Sequence, residues 1–203
     1  MGIDTVLDVG ANIGQYGKML RSIGYKDEIH SFEPIKVHFD VLAETSASDK
    51  NWFIYQYALG AEVGSDEIHV HSGLSSFLEP SEYGVEFAHG ELKRRRKETV
   101  EISTLDHFLS HELTDVQRRN VFLKMDTQGF DLEVFKGGTG TIHFVAALQS
   151  EIALKKLYEA MPDFTKSFET YLAQGFEVTG FYPVSREKRG TIIEVDCVMI
   201  RGD

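Results

Sequence analysis

The sequence predicts an α/β protein with a doubly wound, mostly parallel sheet and an antiparallel C-terminal hairpin at the sheet edge. Three observations lead to this prediction. Short β-branched runs alternate with amphipathic helical segments over the first third of the chain. A nearly all-apolar run at 120–126 is typical of a strand buried on both faces. The chain ends in two strand-like runs that glycines punctuate.

The first third of the chain is predicted to be β-α-β-α-β. A β-branched run at 4–9 ends at the glycine-rich turn 10–14, and apolar residues at helical spacing over 15–23 predict a helix that Gly24 closes. Strands of this kind, joined by right-handed helical crossovers, allow few topologies. The remaining predicted elements of this third are a strand at 28–32, a helix around Val37 and Leu42, and a strand at 52–59.

The middle of the chain is less regular, with short strands predicted at 67–71 and 99–103 and a polar stretch between them. Stretches of that length in a compact domain are usually functional or disordered. Regular structure then resumes with strands at 120–126 and 145–152, helices at 132–135 and 164–173, and a terminal strand pair at 176–182 and 194–200.

The length of 203 residues fits a single domain, spanning 1–203. We expect a cofactor half at about 1–70, an acceptor-side loop at about 71–98, and a catalytic and C-terminal half at about 99–203.

Composition excludes several functional classes. The net charge of −11 and the pI of about 5.2 disfavour a general polyanion binder, because phosphate contacts need lysine or arginine. The basic run Lys93–Lys97 is more typical of a solvated loop than of a nucleic-acid site. The single cysteine, Cys197, excludes an intrachain disulfide and a cysteine metal cluster. Without a signal-like start or a long apolar stretch, we expect a cytoplasmic protein with no membrane span.

The most informative segment is the turn after the first strand, Gly10–Gly14. Ligands of open α/β sheets bind outside the carboxyl ends of the strands, and glycine lets the backbone approach a ligand closely. Glu33 ends the second strand, about 20 residues further on, where an acidic residue accepts both hydroxyls of a ribose. The sequence therefore predicts an adenosine-type ligand.

The glycine spacing discriminates between cofactors. Dinucleotide sites use G-x-G-x-x-G, whereas Gly10 and Gly14 flank three residues, Ala11, Asn12 and Ile13. The carboxylate of Asp8 would repel a pyrophosphate but could receive an ammonium group, directly or through water. S-adenosyl-L-methionine carries an ammonium group and a ribose and no phosphate, so the turn favours it over a nicotinamide cofactor. We predict that Asp8, Gly10, Asn12, Gly14 and Glu33 hold this cofactor.

Further motifs extend along the chain, and the most specific is a Lys-x-Asp-x-x-Gly element followed by Leu-Glu-Val. With these motifs the chain resembles the class I, Rossmann-like S-adenosylmethionine-dependent methyltransferases, and more narrowly the FkbM family. The motifs are VLDVGANIG at 6–14, SFEP at 31–34, ALG at 58–60, the serine pair at 75–76, TLDHF at 104–108, LKMDTQG at 123–129, DLEVFKGG at 131–138 and the Ser-Glu pair at 150–151.

This resemblance implies methyl transfer to oxygen, with sugar hydroxyls, glycolipids or natural-product scaffolds as acceptors. It adds Ala11, Pro34, Ala58, Leu59 and Ser76 to the predicted cofactor residues. The sequence departs from the family pattern in two ways. The chain begins directly at the first strand, without the leading segment that often covers the cofactor, and Asp131 stands where the family usually has glutamate.

The predicted chemical centre lies at the ends of the fourth and fifth main strands. Asp126 should face the methyl sulfonium, and oxygen methylation usually needs a base that removes the hydroxyl proton. We therefore predict Asp126 as base or acceptor anchor, with Glu151 second. Lys124 shares the strand face of Asp126, and a buried lysine usually pairs with a carboxylate. Two alternatives stay open: Asp126 as a helix cap, and a divalent cation held by the two carboxylates, possible but not favoured.

Three other functions stay open. A nucleic-acid methyltransferase of the same fold is disfavoured, because Asp126–Gly129 lacks the proline and aromatic residues that bind a flipped base. The glycine spacing disfavours a dinucleotide oxidoreductase. A non-catalytic adenosyl-binding module, or a methyltransferase of another small molecule, fits the cofactor residues equally well. The sequence does not indicate an oligomeric state.

Overall fold

The computed structural model describes residues 2–71, 73–93 and 96–202. Part of the basic run Lys93–Lys97, residues 94–95, lies outside this description. The strands are Thr5–Val9 (β1), Glu28–Phe32 (β2), Trp52–Tyr55 (β3), Ala58–Leu59 (β4), Gly64–His69 (β5), Lys97–Ser103 (β6), Val121–Met125 (β7), Val145–Ala153 (β8), Phe176–Arg186 (β9) and Ile192–Arg201 (β10). The α-helices are Gln15–Ser22 (α1), Lys36–Ser46 (α2), Glu82–Phe87 (α3), Leu105–His111 (α4), Asp131–Lys136 (α5) and Phe164–Ala173 (α6).

Seven of these strands form the main sheet in the order β3-β2-β1-β7-β8-β10-β9. The first five are parallel, and β10 lies antiparallel between β8 and the edge strand β9. The prediction of a mostly parallel α/β sheet with an antiparallel C-terminal pair is confirmed. Strand order reverses between β1 and β7, which is the position where such sheets bind ligands.

The prediction of a single strand over residues 52–59 is wrong. Residues 52–55 pair with β2 in the main sheet, whereas Ala58 and Leu59 pair with β6 in a second sheet of order β4-β6-β5. The apolar run continues through the bend at 56–57, where neither glycine nor proline marks a break. Periodicity alone therefore joins two strands that belong to different sheets.

Part of the stretch predicted to be irregular is helical. The hydroxyl of Ser81 caps α3 by accepting a hydrogen bond from the Gly84 N–H at 2.9 Å. Thr104 caps α4 in the same way, accepting from the His107 N–H at 3.1 Å. Such caps satisfy N–H groups that have no partner within the helix. These helices are only six and seven residues long, which makes their periodicity hard to recognise.

The central strands β1 and β7 are buried on both faces. Leu7, Leu123 and Met125 are inaccessible to solvent. Burying one such side chain stabilises a fold by about 1.5–3 kcal/mol, so this pair of strands forms the core that holds the ligand-binding edge in place. Within the described residues, every helix is too short or too polar to cross a bilayer.

Candidate active site

A cavity of about 640 Å³ opens at the carboxyl ends of β1, β2, β7 and β8. Small-molecule sites commonly measure about 300–1,000 Å³, and this one lies at the switch in strand order. Its wall combines the turn after β1, the loops after β2 and β7, the end of β8 and the first part of β10.

The turn after β1 is held tightly between two neighbouring strands. Gly10 has a φ of 79°, and a Cβ there would stand 2.0 Å from the backbone oxygen of Asp126. The N–H groups of Gly10 and Ala11 both donate to the carbonyl of Phe32, at 3.1 and 3.0 Å. Gly14, with a φ of 86°, begins α1. The free N–H groups of the first turn of α1 are therefore available to a carboxylate at the cavity.

Glu33 lies in the cavity wall and is only 5% exposed. Its Oε2 accepts a hydrogen bond from the Asn12 N–H at 2.9 Å, and its Oε1 accepts one from the Ile35 N–H at 2.9 Å. Each carboxylate oxygen has a second lone pair. Glu33 is therefore fixed in place by the backbone and still able to accept two ribose hydroxyls.

Asp8 lies below the turn and does not reach the cavity. Its side chain is fully buried, with Oδ1 3.0 Å from the Nζ of Lys124 and Oδ2 accepting from the Ser31 hydroxyl at 3.3 Å. The direct contact predicted between Asp8 and an ammonium group does not fit this position, because a buried lysine needs this carboxylate. Asp8 acts on the cavity through Lys124.

Lys124 connects the turn to the end of the cavity where Asp126 and Glu151 lie, called the acceptor end here. Its Nζ donates to the carbonyl of Gly10 at 3.3 Å and lies 3.5 Å from the Oδ2 of Asp126. Burial alone would lower the pKa of Lys124, but the attraction of Asp8 and Asp126 outweighs it, and the pKa is raised above its ordinary value. Lys124 therefore remains a cation at the cavity wall.

Gln128 joins the two predicted catalytic carboxylates. Its Nε2 donates to the Oδ1 of Asp126 at 3.2 Å and to the Oε2 of Glu151 at 2.7 Å. The backbone of Gln128 has a φ of 53°, and its carbonyl accepts from the hydroxyl of Ser76 at 2.8 Å. Gln128 is not among the site residues predicted from the sequence, although it lies inside the motif at 123–129.

The two carboxylates occupy different environments. Burial, and then the negative charges of Asp126, Glu194, Asp131 and Asp196, raise the pKa of Glu151 well above its ordinary value. The side chain of Asp126 is 40% exposed and lies near the cation of Lys124. Glu151 therefore favours its neutral form more than a glutamate in water does, whereas Asp126 is exposed to the cavity beside a cation.

Asp131 sets the position of Glu151. Its Oδ1 accepts from the Thr127 N–H at 2.9 Å, and its Oδ2 accepts from the Ser150 hydroxyl at 2.7 Å and from the Glu151 N–H at 3.1 Å. These bonds tie the loop after β7 to the end of β8. The shorter aspartate that replaces the glutamate of the family pattern therefore makes a complete set of contacts.

The predicted site residues fall into two groups. Ten line the cavity, whereas Asp8, Gly14 and Ser76 lie behind it. Asp8 acts through Lys124, Gly14 through α1, and Ser76 through Gln128. The ten are Gly10, Ala11, Asn12, Glu33, Pro34, Ala58, Leu59, Lys124, Asp126 and Glu151.

Several cavity residues were not predicted from sequence. Glu194 and Asp196 reach the cavity from β10, and the hydroxyl of Tyr16 donates to Gln149 Oε1 at 3.4 Å. These residues belong to segments far apart in the sequence, and only the strand order brings them together. In the described ranges no group of three or more potential ligand residues is arranged to hold a metal ion.

Comparison with solved structures places the fold among methyltransferases. Fibrillarin from Aeropyrum pernix, solved with natively bound S-adenosyl-L-methionine, is 10% identical with a TM-score of 0.54, covering 97% of this chain and 66% of its own. A putative tRNA (m1A22) methyltransferase from Streptococcus pneumoniae, also with S-adenosyl-L-methionine, is 11% identical with a TM-score of 0.55, covering 100% and 68%. Magnesium protoporphyrin IX methyltransferase from Synechocystis PCC 6803 is 11% identical with a TM-score of 0.53, covering 97% and 69%. At these identities the likeness concerns the fold alone.

Sequence comparison identifies the family. No curated protein matches the chain significantly. The family model described as the methyltransferase FkbM domain matches residues 8–178, a span that runs from Asp8 through Glu33, Asp126 and Glu151. The chain therefore belongs to the FkbM methyltransferase domain family and is an S-adenosyl-L-methionine-dependent methyltransferase.

Proposed function

We propose that this protein methylates a hydroxyl group of a small molecule, carbohydrate-like or resembling a natural product, and that residues 1–203 act as one catalytic domain. The observation that carries the proposal is the carboxylate pair Asp126 and Glu151, which the Nε2 of Gln128 bridges at the acceptor end of the cavity. A hydroxyl acceptor needs a proton acceptor and a second group that fixes its oxygen, and this pair supplies both.

The residues of the cavity fit the cofactor. Glu33 has free lone pairs for the ribose hydroxyls, and the first turn of α1 offers N–H groups to the amino-acid carboxylate. Ala58 and Leu59 provide apolar wall near Glu33. When bound, S-adenosyl-L-methionine supplies an electrophilic methyl group to the acceptor oxygen. The glycine turn, Glu33, Pro34, Ala58 and Leu59 would hold it.

Asp126 and Glu151 take different roles in this proposal. Asp126 accepts the hydroxyl proton as the acceptor oxygen bonds to the methyl carbon, and the electron pair of the broken carbon–sulfur bond stays on sulfur. Burial raises the pKa of Glu151, and in its protonated form this residue donates a hydrogen bond that orients the acceptor. The Nζ of Lys124 lies 3.5 Å from Asp126 and helps to hold that side chain in place.

A nucleic-acid acceptor fits this cavity less well, although the structural relatives include a putative tRNA methyltransferase and an rRNA methylase. The net charge of the chain is −11, and the acceptor end carries four carboxyl side chains and the single lysine Lys124 among its described lining residues. A phosphate backbone near this opening would be repelled.

One experiment tests the proposed function directly. Purified protein is titrated by calorimetry with S-adenosyl-L-methionine, S-adenosylhomocysteine and NAD, and is then incubated with methyl-labelled cofactor and small-molecule pools. We expect binding of the first two ligands, no binding of NAD, and label in an O-methylated small molecule. Binding of NAD alone, or label confined to RNA, contradicts the proposal.

A further inference from the structure

Four carboxyl side chains line the acceptor end of the cavity and are called the acidic wall here: Asp126, Glu151, Glu194 and Asp196. Asp196 lies directly opposite Glu151 in the antiparallel pairing of β8 and β10. Side chains of such a pair have Cβ atoms about 4.5–5.5 Å apart, and like charges there destabilise a sheet. An arrangement that costs stability at the end of a cavity indicates a functional requirement.

Within the described residues, Asp126 is the one carboxylate of the acidic wall that has a lysine or arginine, Lys124, within ion-pair distance. Among the described residues, Lys124 is the only lysine or arginine that lines the cavity. Its Nζ is 3.0 Å from the Oδ1 of Asp8. No described lysine or arginine lies within ion-pair distance of Glu151, Glu194 or Asp196. Burial is the largest cause that raises the pKa of each of these three residues, and neighbouring carboxylates add to it, whereas hydrogen bonds from Ser185 and Gln149 act against it at Glu194 and Asp196. A cationic group bound beside Glu194 and Asp196 would stabilise their ionised forms.

Glu194 offers an acceptor atom to that group. The residue is 5% exposed and lines the cavity. Its Oε2 accepts from the Ser185 hydroxyl at 2.7 Å, whereas its Oε1 accepts no hydrogen bond from the residues within the described ranges. A carboxylate oxygen that accepts no such bond, on a residue that lines a cavity, is a site for a hydrogen-bond donor of a ligand.

The mouth of the cavity has a different character. Met19, Phe87 and Val184 contribute apolar wall, and Met19 and Val184 are 41% and 50% exposed. The cavity therefore combines acidic and apolar wall. A phosphate or sulfate group would meet four carboxyl side chains and one lysine, Lys124, among the described residues of the acceptor end.

We propose that the acceptor carries a protonated amine near its methylated hydroxyl, as an amino sugar or amino alcohol does, and that Glu194 and Asp196 bind this amine. The inference rests on the proposed function and names its substrate class. In this arrangement Asp126 and Glu151 serve the hydroxyl, and the two carboxylates of β10 determine specificity for the charged group.

The first test needs no knowledge of the acceptor. Sinefungin is a cofactor analogue with a carbon bearing a protonated amine in place of the sulfonium and its methyl group. Its dissociation constant is compared with that of S-adenosylhomocysteine by calorimetry, on the wild type and on the double variant Glu194→Gln/Asp196→Asn. The amine of sinefungin takes the place of the methyl group, which Asp126 faces in the proposed function, so the two carboxylates of β10 attract it together with Asp126. We expect the wild type to prefer sinefungin about tenfold, and the double variant to lose part of this preference.

Glu177→Gln is the matched control, because Glu177 is exposed on β9, at the end of the same hairpin remote from the cavity. This variant should keep the full preference. Unchanged affinity for S-adenosylhomocysteine in the double variant would show that it folds and retains the cofactor site. Equal affinities for the two ligands in the wild type, or a full preference in the double variant, would overturn the assignment.

The second test uses methyl-labelled cofactor and metabolite pools separated by charge at pH 7. We expect the labelled product in the cationic pool, and at least a tenfold lower rate of labelling with the double variant than with Glu177→Gln. Label only in neutral or anionic products overturns the amine assignment and leaves the proposed function standing. Label in no small molecule contradicts the proposed function, and the sinefungin comparison then decides the present inference by itself.

Discussion

Lys124 and Asp8 form an ion pair of 3.0 Å beneath the glycine turn, and the same Nζ lies 3.5 Å from Asp126. One buried cation therefore connects the turn after β1 to the proposed base at the end of β7. Both strands are central in the sheet, so the cofactor and acceptor ends of the cavity are held at a constant separation.

Lys124→Met tests the importance of this ion pair for stability. The substitution leaves the carboxylate of Asp8 buried without its cation, and such losses cost about 3–5 kcal/mol. Chemical denaturation should show this decrease, whereas Lys18→Met on the exposed side of α1 should change stability by less than about 0.5 kcal/mol. Equal stability of the two variants would show that Asp8 does not need Lys124.

Gly10→Ala tests the close approach of the turn to β7. A Cβ at Gly10 would meet the Asp126 carbonyl oxygen at 2.0 Å, so the turn must move and cofactor affinity should fall at least about tenfold. Gly24→Ala is the control, since Gly24 also has a positive φ but has open space around it. It should cost about 1 kcal/mol of stability and leave cofactor affinity unchanged. Equal affinities of the two variants would refute the steric argument.

Glu33→Gln should weaken the binding of S-adenosyl-L-methionine by about 10- to 100-fold, because a charge-assisted pair of acceptors is replaced by one neutral acceptor and one donor. Calorimetry measures the loss. Asp40→Asn, on the exposed side of α2, removes a charge nearby without facing the cavity and should bind like the wild type. An unchanged affinity in Glu33→Gln would exclude the ribose assignment.

Asp126→Asn should reduce methyl transfer by about 10²- to 10⁴-fold while cofactor affinity changes only a few-fold. The amide has nearly the shape of the carboxylate but cannot take the hydroxyl proton. Initial rates of label transfer and calorimetry separate the two effects. Transfer at the wild-type rate would assign the base to another residue, whereas loss of cofactor binding would give Asp126 a structural role.

The stability of the protein should depend on pH through Glu151. Its pKa is raised in the folded state, so folding takes up a proton at pH values above the ordinary pKa of a glutamate. The resulting contribution to stability is present at low pH and is lost as the pH rises through the raised value. Urea denaturation from pH 5 to 7 should therefore show a smaller decrease in stability for Glu151→Gln than for the wild type. Glu133→Gln, on α5, should keep the wild-type slope, and equal slopes for all three proteins would contradict a protonated Glu151.

Local sequence patterns were sufficient to predict the parallel strands and the turn that lines the cofactor cavity. The glycine turn and Glu33 are recognisable because backbone conformation and spacing along one β-α-β unit determine where they lie. The run at 52–59 was misassigned because apolar residues continue across a bend, and the division between two sheets depends on pairing with β2 and β6. Local periodicity contains no information about such partners.

The sequence by itself predicted the α/β class, the family, the cofactor, and Glu33, Asp126 and Glu151 as carboxylates of the site. Each of these predictions depends on residues that lie close together in the chain. Only the tertiary structure decided that Asp8 serves Lys124, that Gln128 bridges Asp126 and Glu151, and that Asp196 stands opposite Glu151. The physical reason is that these contacts join residues of neighbouring strands or of the loops that follow them. Strand order and register, which place β7 beside β1 and β8, and β10 beside β8, decide which of these residues meet.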